Sequence, residues 1–274
     1  MKNKGINKNI AFLGSGKMAE ALISGFIKSR LAPASAITAV DIDLKRLSFL
    51  KRKYRIKTST DKLSALKKAN IIFLAVKPRQ MEGLLCEAGL RIRKNQLVIS
   101  IAAGITTKWI ERFLIKGVPV VRTMPNTPAA FGCGATGIAK GRWAKAAHLS
   151  TAKKLFDQTG ITAALPESKI DAVTAVSGSG PAYVFLLAEL LEQAAKDLGL
   201  AGNTARDFSR QTVIGAGEML KRCPETPAAR LRKNVTSPGG TTEAAIKTLA
   251  RNKFAEIFKK AVKRAKERAK ELSR

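Results

Sequence analysis

Along the first half of the chain, apolar and polar positions follow a pattern typical of buried strands separated by helices. Segments with helical spacing of apolar residues, such as MAEALISGFIKS and KRLSFLKRKY, lie between short apolar runs. The runs are NIAFLG, AITAVD, NIIFLAV, QLVISIA and PVVRTM, between residue 9 and about residue 125. Because short, continuously apolar runs are typical of strands buried on both faces, the pattern predicts βαβ units and an α/β fold with a doubly wound parallel sheet.

After about residue 165 the pattern predicts helices only. Pro181 stands early in PAYVFLLAELLEQAAKDLG and Gly199 follows it, while Asn203 precedes a second helical segment and Thr226-Pro227 a third. Proline near a helix start and glycine after its end are common boundary signals. We therefore predict a sheet domain over residues 1–166 and an all-helical domain over residues 167–274.

The predicted helix over 181–193 is apolar on nearly every face until Glu189. A helix that is apolar all round has to be covered on all sides. In so short a helical domain a second copy of the chain is the simplest cover, so we predict a homodimer. Gly215 and Gly217 would allow close approach of neighbouring helices.

Length and rare residues exclude several classes of protein. A chain of 274 residues can hold two domains, and no apolar run approaches the roughly 18 residues of a membrane span. The start, MKNKGINKNI, lacks the apolar segment of a signal peptide, so a cytoplasmic location without membrane association is expected. The three cysteines are isolated and predict neither a disulfide framework nor a metal site. His148, the single histidine, is expected on a helix surface, which disfavours a histidine base.

The formal net charge is +30, with lysines and arginines spread along the chain. The densest run, KKAVKRAKERAKELSR, carries apolar residues near helical spacing and predicts a solvated face on a terminal helix. Such a charge favours anionic partners by steering. No nucleic-acid-binding motif accompanies it, so nucleic-acid binding is expected at most as a side activity.

The segment IAFLGSGKMAEAL has the strand, turn and helix of a dinucleotide-binding fingerprint. Gly14 allows the tight turn, Gly16 lets a pyrophosphate approach backbone N–H groups, and Ala19 keeps helix and strand close. The alternative is an ordinary turn between strand and helix. We predict a Rossmann-like domain whose cofactor contacts are Leu13, Gly14, Ser15, Gly16, Lys17, Met18 and Ala19.

Asp41 ends the second predicted strand, a little over 20 residues beyond the glycines. A carboxylate there accepts the ribose hydroxyls and repels a 2′-phosphate, which favours NADH over NADPH. Asp43 is an alternative ribose ligand or a helix cap. Lys45 and Arg46 could still bind a 2′-phosphate, so both cofactors remain open.

Three further strand ends should border the cofactor, because ligands of open α/β sheets lie beyond the carboxyl ends of the strands. LAVKP covers residues 74–78, SIAAGI covers 100–105, and RTMPNTPA carries two prolines and Asn126. The small residues of SIAAGI suit a flat nicotinamide, and Asn126 is expected to hydrogen-bond outward.

Together with these motifs, DAVTAVSGSGPAY and NVTSPGGTT occur in an order and spacing that resembles the pyrroline-5-carboxylate reductase family. The resemblance covers about residues 9–265. It implies NAD(P)H-dependent reduction of 1-pyrroline-5-carboxylate to L-proline, the last step of proline biosynthesis. It also implies a homodimer, in some members part of a larger ring of dimers. The glycines of SGSGPAY would then lie where substrate and nicotinamide meet, with glycines for helix packing as the alternative.

Carried over by motif, the resemblance assigns individual residues. Further cofactor contacts would be Ala75, Val76, Lys77, Pro78, Ala102, Ala103 and Asn234. Substrate contacts would be Glu167, Ser179, Gly180, Gly239, Gly240, Thr241 and Thr242, although Glu167 taken alone is more typical of a surface residue. Thr242 would hydrogen-bond the imine nitrogen and relay a proton, with Ser237 supporting it. A water relay is an equal alternative.

Some positions depart from the family pattern. Many members have Ser or Asn where Asp41 stands, a basic residue where Ile42 stands, and Asn where Lys62 stands. These differences put the usual NADPH preference in doubt. Two other hypotheses stay open: a related dehydrogenase for another small anion, and a basic nucleic-acid-binding protein.

Overall fold

The structure is a computed structural model that describes residues 5–273. These residues divide into two compact units, the first running up to residue 179 and including those from 265 on, and the second made of residues 180–264. This division by compactness lies 13 residues beyond the predicted boundary after residue 166, which stays a prediction about domain organisation.

The first unit is built on an eight-stranded sheet with the order β3-β2-β1-β4-β5-β6-β7-β8. The strands are β1 (Ile10–Leu13), β2 (Ile37–Val40), β3 (Lys57–Ser59), β4 (Ile71–Leu74), β5 (Leu97–Ser100), β6 (Val120–Met124), β7 (Gly134–Lys140) and β8 (Gly160–Ala164). All neighbouring strands are parallel except β6 and β7, which are antiparallel. The chain turns from one half of the sheet to the other between β1 and β4, where ligands of such folds bind. The predicted Rossmann-like α/β fold is confirmed.

Helices cover both faces of this sheet. They are α1 (Lys17–Lys28), α2 (Leu44–Tyr54), α3 (Lys62–Lys68), α4 (Met81–Ala88), α5 (Thr107–Glu111), α6 (Ala146–Phe156) and α7 (Ile170–Val173). On one face Phe12 stacks on Phe73 of the neighbouring strand, with ring centroids 4.5 Å apart. The adjacent residues Leu13 and Leu74 belong to the core on the opposite face. Alternation along each strand therefore builds two apolar layers that hold the sheet rigid behind its carboxyl edge.

All five predicted strands form, as β1, β2, β4, β5 and β6. Strands β3, β7 and β8 were not predicted from the sequence. The three residues of β3 are mostly polar, and β7 contains two glycines, so neither has the continuous apolar pattern that identifies a buried strand. These segments become strands because they pair with neighbouring strands: β3 with β2, and β7 with β6 and β8.

As its proline had suggested, the SGSGPAY segment begins a helix at Gly180, but a helical path already leads into it. Helix α7 continues through a π-helical turn, Thr174–Gly178, in which the N–H of Ser179 donates to the Thr174 carbonyl at 2.8 Å. The next helix, α8 (Gly180–Asp197), follows at once, so Pro181 lies within a nearly continuous helical stretch. Single π-turns are rare and are frequent at functional sites.

The second unit is helical. Its elements are α8, α9 (Gly202–Arg222), α10 (Ala228–Asn234), α11 (Thr241–Arg251) and the first part of α12 (Phe254–Glu271). Helices α8 and α9 pack against each other, and Tyr183 meets Phe258 edge to face at 5.7 Å. Asn203, predicted before the second helix, lies inside its first turn.

Much of the apolar surface of α8 is exposed in the single chain. Phe185 is 68% exposed and Leu186 54%. Large exposed apolar patches mark surfaces that another molecule covers. Within the described residues, Glu167–Asp197 is also long and apolar enough to cross a membrane, by length and composition alone. A single helix of this kind is weak evidence for a membrane span, because core helices of soluble proteins meet the same criterion.

Candidate active site

The glycine-rich turn between β1 and α1 has the geometry of an anion-binding loop. Gly14 has φ +100°, and a Cβ placed there would lie 2.6 Å from the Ala75 carbonyl oxygen, so only glycine fits. A Cβ at Gly16, by contrast, would project into open space. Gly16 is the N-cap of α1, whose first N–H groups have no partner within the helix. The loop therefore leaves an open cradle for a phosphate at the positive end of a helix.

Asp41, at the end of β2, is bound to this loop. Its Oδ2 accepts hydrogen bonds from the N–H of Ser15 at 2.7 Å and from the Ser15 hydroxyl at 2.8 Å. Its Oδ1 accepts from the N–H of Asp43 at 3.1 Å. Burial alone would raise the pKa of Asp41, but the hydrogen bonds from Ser15 and Asp43 outweigh it and lower that pKa. Asp41 is thus a fixed negative charge beside the loop.

A second charged group holds the same loop from the other side. Arg46 of α2 donates from Nε to the Ser15 carbonyl at 2.6 Å and from a terminal nitrogen to Glu20 Oε2 at 2.6 Å. Glu20 Oε1 accepts from Lys53 Nζ and from the Tyr54 hydroxyl, each at 3.0 Å. Burial would raise the pKa of Glu20, yet the bonds from Arg46, Lys53 and Tyr54 lower it to about 2. Glu20 is therefore ionised throughout the physiological range.

Two clefts open at this edge of the sheet. One, of about 430 Å³, is lined by the Gly14–Gly16 turn, Asp41, Ile42, Lys62 and Glu87 among others. The other, of about 1010 Å³, is lined by residues of α1, by Ala102 and Ala103, and by Phe131 among others. Both include Gly16 and the segment 75–77, so they adjoin. Every predicted cofactor residue of the first unit lines one cleft or both, which makes an extended groove suited to a dinucleotide.

Glu167 lies in the first unit as a partner of buried charges. Its Oε1 accepts from the Thr107 N–H at 2.7 Å and its Oε2 from the Thr107 hydroxyl at 2.6 Å. Arg122, almost fully buried, lies 3.5 Å from Glu167 and donates to Asp171 at 3.0 Å. Both oxygens of the Glu167 carboxylate therefore have partners within the protein. A contact of Glu167 with a substrate stays a prediction.

Asn126 turns inward, contrary to the expectation of an outward hydrogen bond. Its Oδ1 accepts from the Ala135 N–H at 2.9 Å, and its Nδ2 donates to the Ser177 carbonyl at 3.0 Å. Four residues after Ser177 stands Pro181, which has no N–H to offer that carbonyl. Asn126 supplies the missing donor, so it stabilises the π-turn.

The SPGGTT turn lies in the second unit, where it leads into α11. Gly239 has φ +72°, and its N–H donates to Glu243 Oε2 at 3.0 Å, while the Gly240 N–H donates to the Ser237 carbonyl at 3.0 Å. Both glycine N–H groups are thus used within the turn. The donors left for a ligand are the first-turn N–H groups and hydroxyls of Thr241 and Thr242.

The remaining predicted site residues lie at the ends of helices. Asn234 ends α10 and is exposed, whereas Ser179 and Gly180 join the π-turn to α8. The predicted cofactor residues other than Asn234 belong to the first unit, and Asn234, Ser237 and the 239–242 turn belong to the second.

Other expectations concern residues outside the groove. His148 lies in α6, where its Nδ1 accepts from the Lys145 N–H at 3.0 Å; burial and the nearby Lys145 lower its pKa. The three cysteines are free. In residues 5–273 no cluster of metal-ligating side chains is present.

Four residues that bind the two turns were not predicted from the sequence: Glu20, Lys53, Tyr54 and Glu243. Glu243 is three residues after the helix N-cap, a position from which glutamate often reaches back to the preceding turn, so that spacing could have identified it. No local sequence pattern links Glu20 to Arg46 and Tyr54, which lie 26 and 34 positions further along the chain.

Comparison with known proteins agrees with this geometry. A family model described as pyrroline-5-carboxylate reductase dimerisation matches residues 167–272, and one described as coenzyme F420-dependent NADP oxidoreductase matches residues 9–104. A pyrroline-5-carboxylate reductase from Pseudomonas aeruginosa is 40% identical over 265 residues, which cover 96% of each chain.

Two solved structures extend the comparison. A pyrroline-5-carboxylate reductase from Coxiella burnetii has a TM-score of 0.90 at 39% identity, covering 98% of this chain and 100% of that chain. A pyrroline carboxylate reductase from Plasmodium falciparum with NADP bound has a TM-score of 0.85 at 27% identity, covering 99% and 100%.

Fold, groove and matches together define an NAD(P)-dependent oxidoreductase with a Rossmann-like domain and a helical dimerisation domain. Within that class, the chain belongs to the pyrroline-5-carboxylate reductase family.

Proposed function

We propose that this protein reduces 1-pyrroline-5-carboxylate to L-proline with a reduced nicotinamide dinucleotide, in the last step of proline biosynthesis. Membership of the family over nearly the whole chain supports this activity. The observation that carries it is the groove at the carboxyl edge of the sheet, in which Gly16 leaves an open phosphate cradle beside the fixed carboxylate of Asp41.

The residues of the groove fit a dinucleotide. The N–H groups from Gly16 to Ala19 would hold the pyrophosphate, because those of Gly14 and Ser15 donate to the Val40 carbonyl and to Asp41. The small residues Ala102 and Ala103, with the 75–78 segment, would lie against the nicotinamide. When bound, the reduced nicotinamide supplies a hydride. A side chain at position 16 would fill the cradle, which is why a glycine suits that position.

We infer a preference for NADH. Asp41 stays ionised and lies where a ribose 2′-phosphate would meet a negative charge. Ile42, which follows it, is exposed and offers no positive charge to a phosphate. The relative from Plasmodium falciparum has NADP bound, so the family accommodates the phosphorylated cofactor and the preference has to come from residues of this chain.

The substrate side of the proposal rests on the second unit. The N-terminus of α11, with Thr241 and Thr242, favours the substrate carboxylate, while Gly239 and Gly240 give the turn its shape. Hydride is added to the imine carbon and a proton to the imine nitrogen, so the C=N double bond becomes a C–N single bond. Thr242 would hold that proton at its hydroxyl, with Ser237 in support and water as the alternative source.

Further contacts are proposed for Ser179, Gly180 and Glu167 on the substrate and for Asn234 on the cofactor. The dimerisation domain supports a homodimer. A larger ring of dimers, a cytoplasmic location and the absence of membrane or nucleic-acid partners stay predictions.

The test is a spectrophotometric assay of the purified protein with 1-pyrroline-5-carboxylate and, separately, NADH and NADPH. Oxidation of the cofactor with formation of proline is the expected result, with a higher kcat/KM for NADH. Cofactor binding without turnover of this imine would instead support a dehydrogenase for another small anion. Salt-sensitive retention on DNA without any turnover would support the nucleic-acid hypothesis.

A further inference from the structure

Arg46 lies against the Ser15–Gly16 turn of the proposed cofactor groove, where its Nε and one terminal nitrogen are engaged. Its Nε donates to the Ser15 carbonyl at 2.6 Å, and one terminal nitrogen reaches both the Gly16 carbonyl, at 3.4 Å, and Glu20. The side chain is only 17% exposed, and that of Glu20 only 12%. A guanidinium held by two backbone carbonyls and a carboxylate acts as a clamp on the loop.

Glu20 is the residue that keeps Arg46 in this position. It stands in the first turn of α1, where the helix dipole favours a negative charge. Lys53 and Tyr54, both on α2, bind its second oxygen and fix the carboxylate toward Arg46. Because its pKa is lowered to about 2, Glu20 holds its charge at every pH at which the enzyme would work.

We propose that the Glu20–Arg46 ion pair is a specificity-determining device for the cofactor, an inference that rests on the proposed function. Arginine is the residue best suited to bind a ribose 2′-phosphate, because its planar fork matches phosphate oxygens. In this chain Glu20 commits that arginine to the carbonyls of Ser15 and Gly16. A 2′-phosphate then meets the Asp41 carboxylate without a compensating positive charge from Arg46.

The experiment uses calorimetric titration with ADP and with adenosine 2′,5′-bisphosphate, alongside NADH and NADPH. Glu20→Gln keeps the size of the side chain, removes its charge and leaves one acceptor oxygen in place of two, so it weakens the hold on Arg46. We expect this variant to bind the 2′-phosphorylated ligands about tenfold more tightly relative to the others, the scale of one charge-assisted contact. The double variant Glu20→Gln/Arg46→Met should lose that gain.

Glu87→Gln is the matched control. Glu87 lines the same cleft and pairs with Lys62, so its substitution removes one negative charge from the groove without freeing Arg46. An equal gain in Glu87→Gln, an unchanged ligand ratio in a folded Glu20→Gln, or a gain that persists in the double variant would overturn the proposal.

Arg46→Met alone gives an independent test, which holds even where Glu20→Gln fails to fold. If Arg46 is only a clamp, its loss weakens NADH and NADPH binding by the same factor. A loss confined to NADPH would show that Arg46 already binds the 2′-phosphate, and would refute the inference. Since binding is measured without substrate, failure of this proposal is distinct from an absence of imine reduction in the parent.

Discussion

The side-chain amide of Asn126 donates a hydrogen bond to the backbone carbonyl of Ser177 at 3.0 Å, in place of the N–H that Pro181 lacks. This bond joins the loop after β6 to the π-turn that precedes α8. It explains how a proline is tolerated inside a helical stretch, since the freed carbonyl keeps a partner.

We therefore expect Asn126→Ala to lower the free energy of unfolding by about 1–3 kcal/mol, because it leaves the Ser177 carbonyl and the Ala135 N–H without partners. Asn126→Asp retains an acceptor for Ala135 but sets a carboxylate against the Ser177 carbonyl, and should be at least as destabilising. Urea denaturation followed by circular dichroism measures both. Asn252, the exposed C-cap residue of α11, provides the control: Asn252→Ala should change the free energy of unfolding by less than about 0.5 kcal/mol. Equal losses at the two positions would contradict the argument.

Substitution of Asp41 should change the cofactor preference. In Asp41→Asn the fixed negative charge is lost, so kcat/KM for NADPH relative to NADH should rise about tenfold or more. Asp43→Asn is the control, because Asp43 caps α2 through the Arg46 N–H and should leave the ratio unchanged. The two ratios are obtained from initial rates at matched cofactor concentrations, and a constant ratio in Asp41→Asn would remove this residue from the ribose site.

The stabilising effect of Glu20 should depend on pH. Its pKa in the folded state is about 2, below the ordinary 4.5, so the unfolded chain takes up the proton first as the pH falls. Stability from this group is therefore complete above about pH 5 and is lost as the pH falls toward 2, with an upper limit of about 3 kcal/mol.

Chemical denaturation at pH 7 and at pH 3 tests this sign. The difference in unfolding free energy between the parent and Glu20→Gln should shrink at the lower pH. Glu225→Gln, in an exposed turn after α9, should show no difference at either pH. A gap that stays constant or widens on acidification would contradict the ionised, paired state of Glu20.

Thr242 should affect the chemical step. If its hydroxyl relays the proton, Thr242→Ala lowers kcat by about a hundredfold, while Thr242→Ser retains most of the rate. Thr248→Ala removes another hydroxyl of α11, one that bonds the Ala244 carbonyl, and should leave kcat unchanged. A rate within a factor of about two of the parent in Thr242→Ala would leave water as the proton source.

The exposed apolar face of α8 should be buried between two copies of the chain. Phe185→Glu places a charge in that face and should shift the protein to monomers at micromolar concentration, as measured by light scattering after gel filtration. Leu90→Glu, at a similarly exposed leucine of the sheet domain, should leave the dimer intact. A dimer in both variants would place the interface elsewhere.

Periodicity and turn residues were enough to predict most of the architecture. The five strands with continuous apolar runs and the change to helices after residue 165 were all found. The family motifs also located the groove residues, because a phosphate loop is encoded in consecutive positions from Gly14 to Ala19. The short polar strand β3 and the glycine-containing β7 escaped prediction, since sheet pairing rather than local pattern makes them strands.

What the sequence determined by itself is what local steric and apolar patterns encode: the strand–loop–helix of the cofactor site, the order of elements and the family. What only the tertiary structure decided is which polar groups meet. Asn126 donates to the Ser177 carbonyl that Pro181 leaves free, and Arg46 is bound to Glu20 and to the loop. Buried hydrogen bonds and ion pairs join residues far apart in the chain, and their partners are fixed by packing, which no local pattern records.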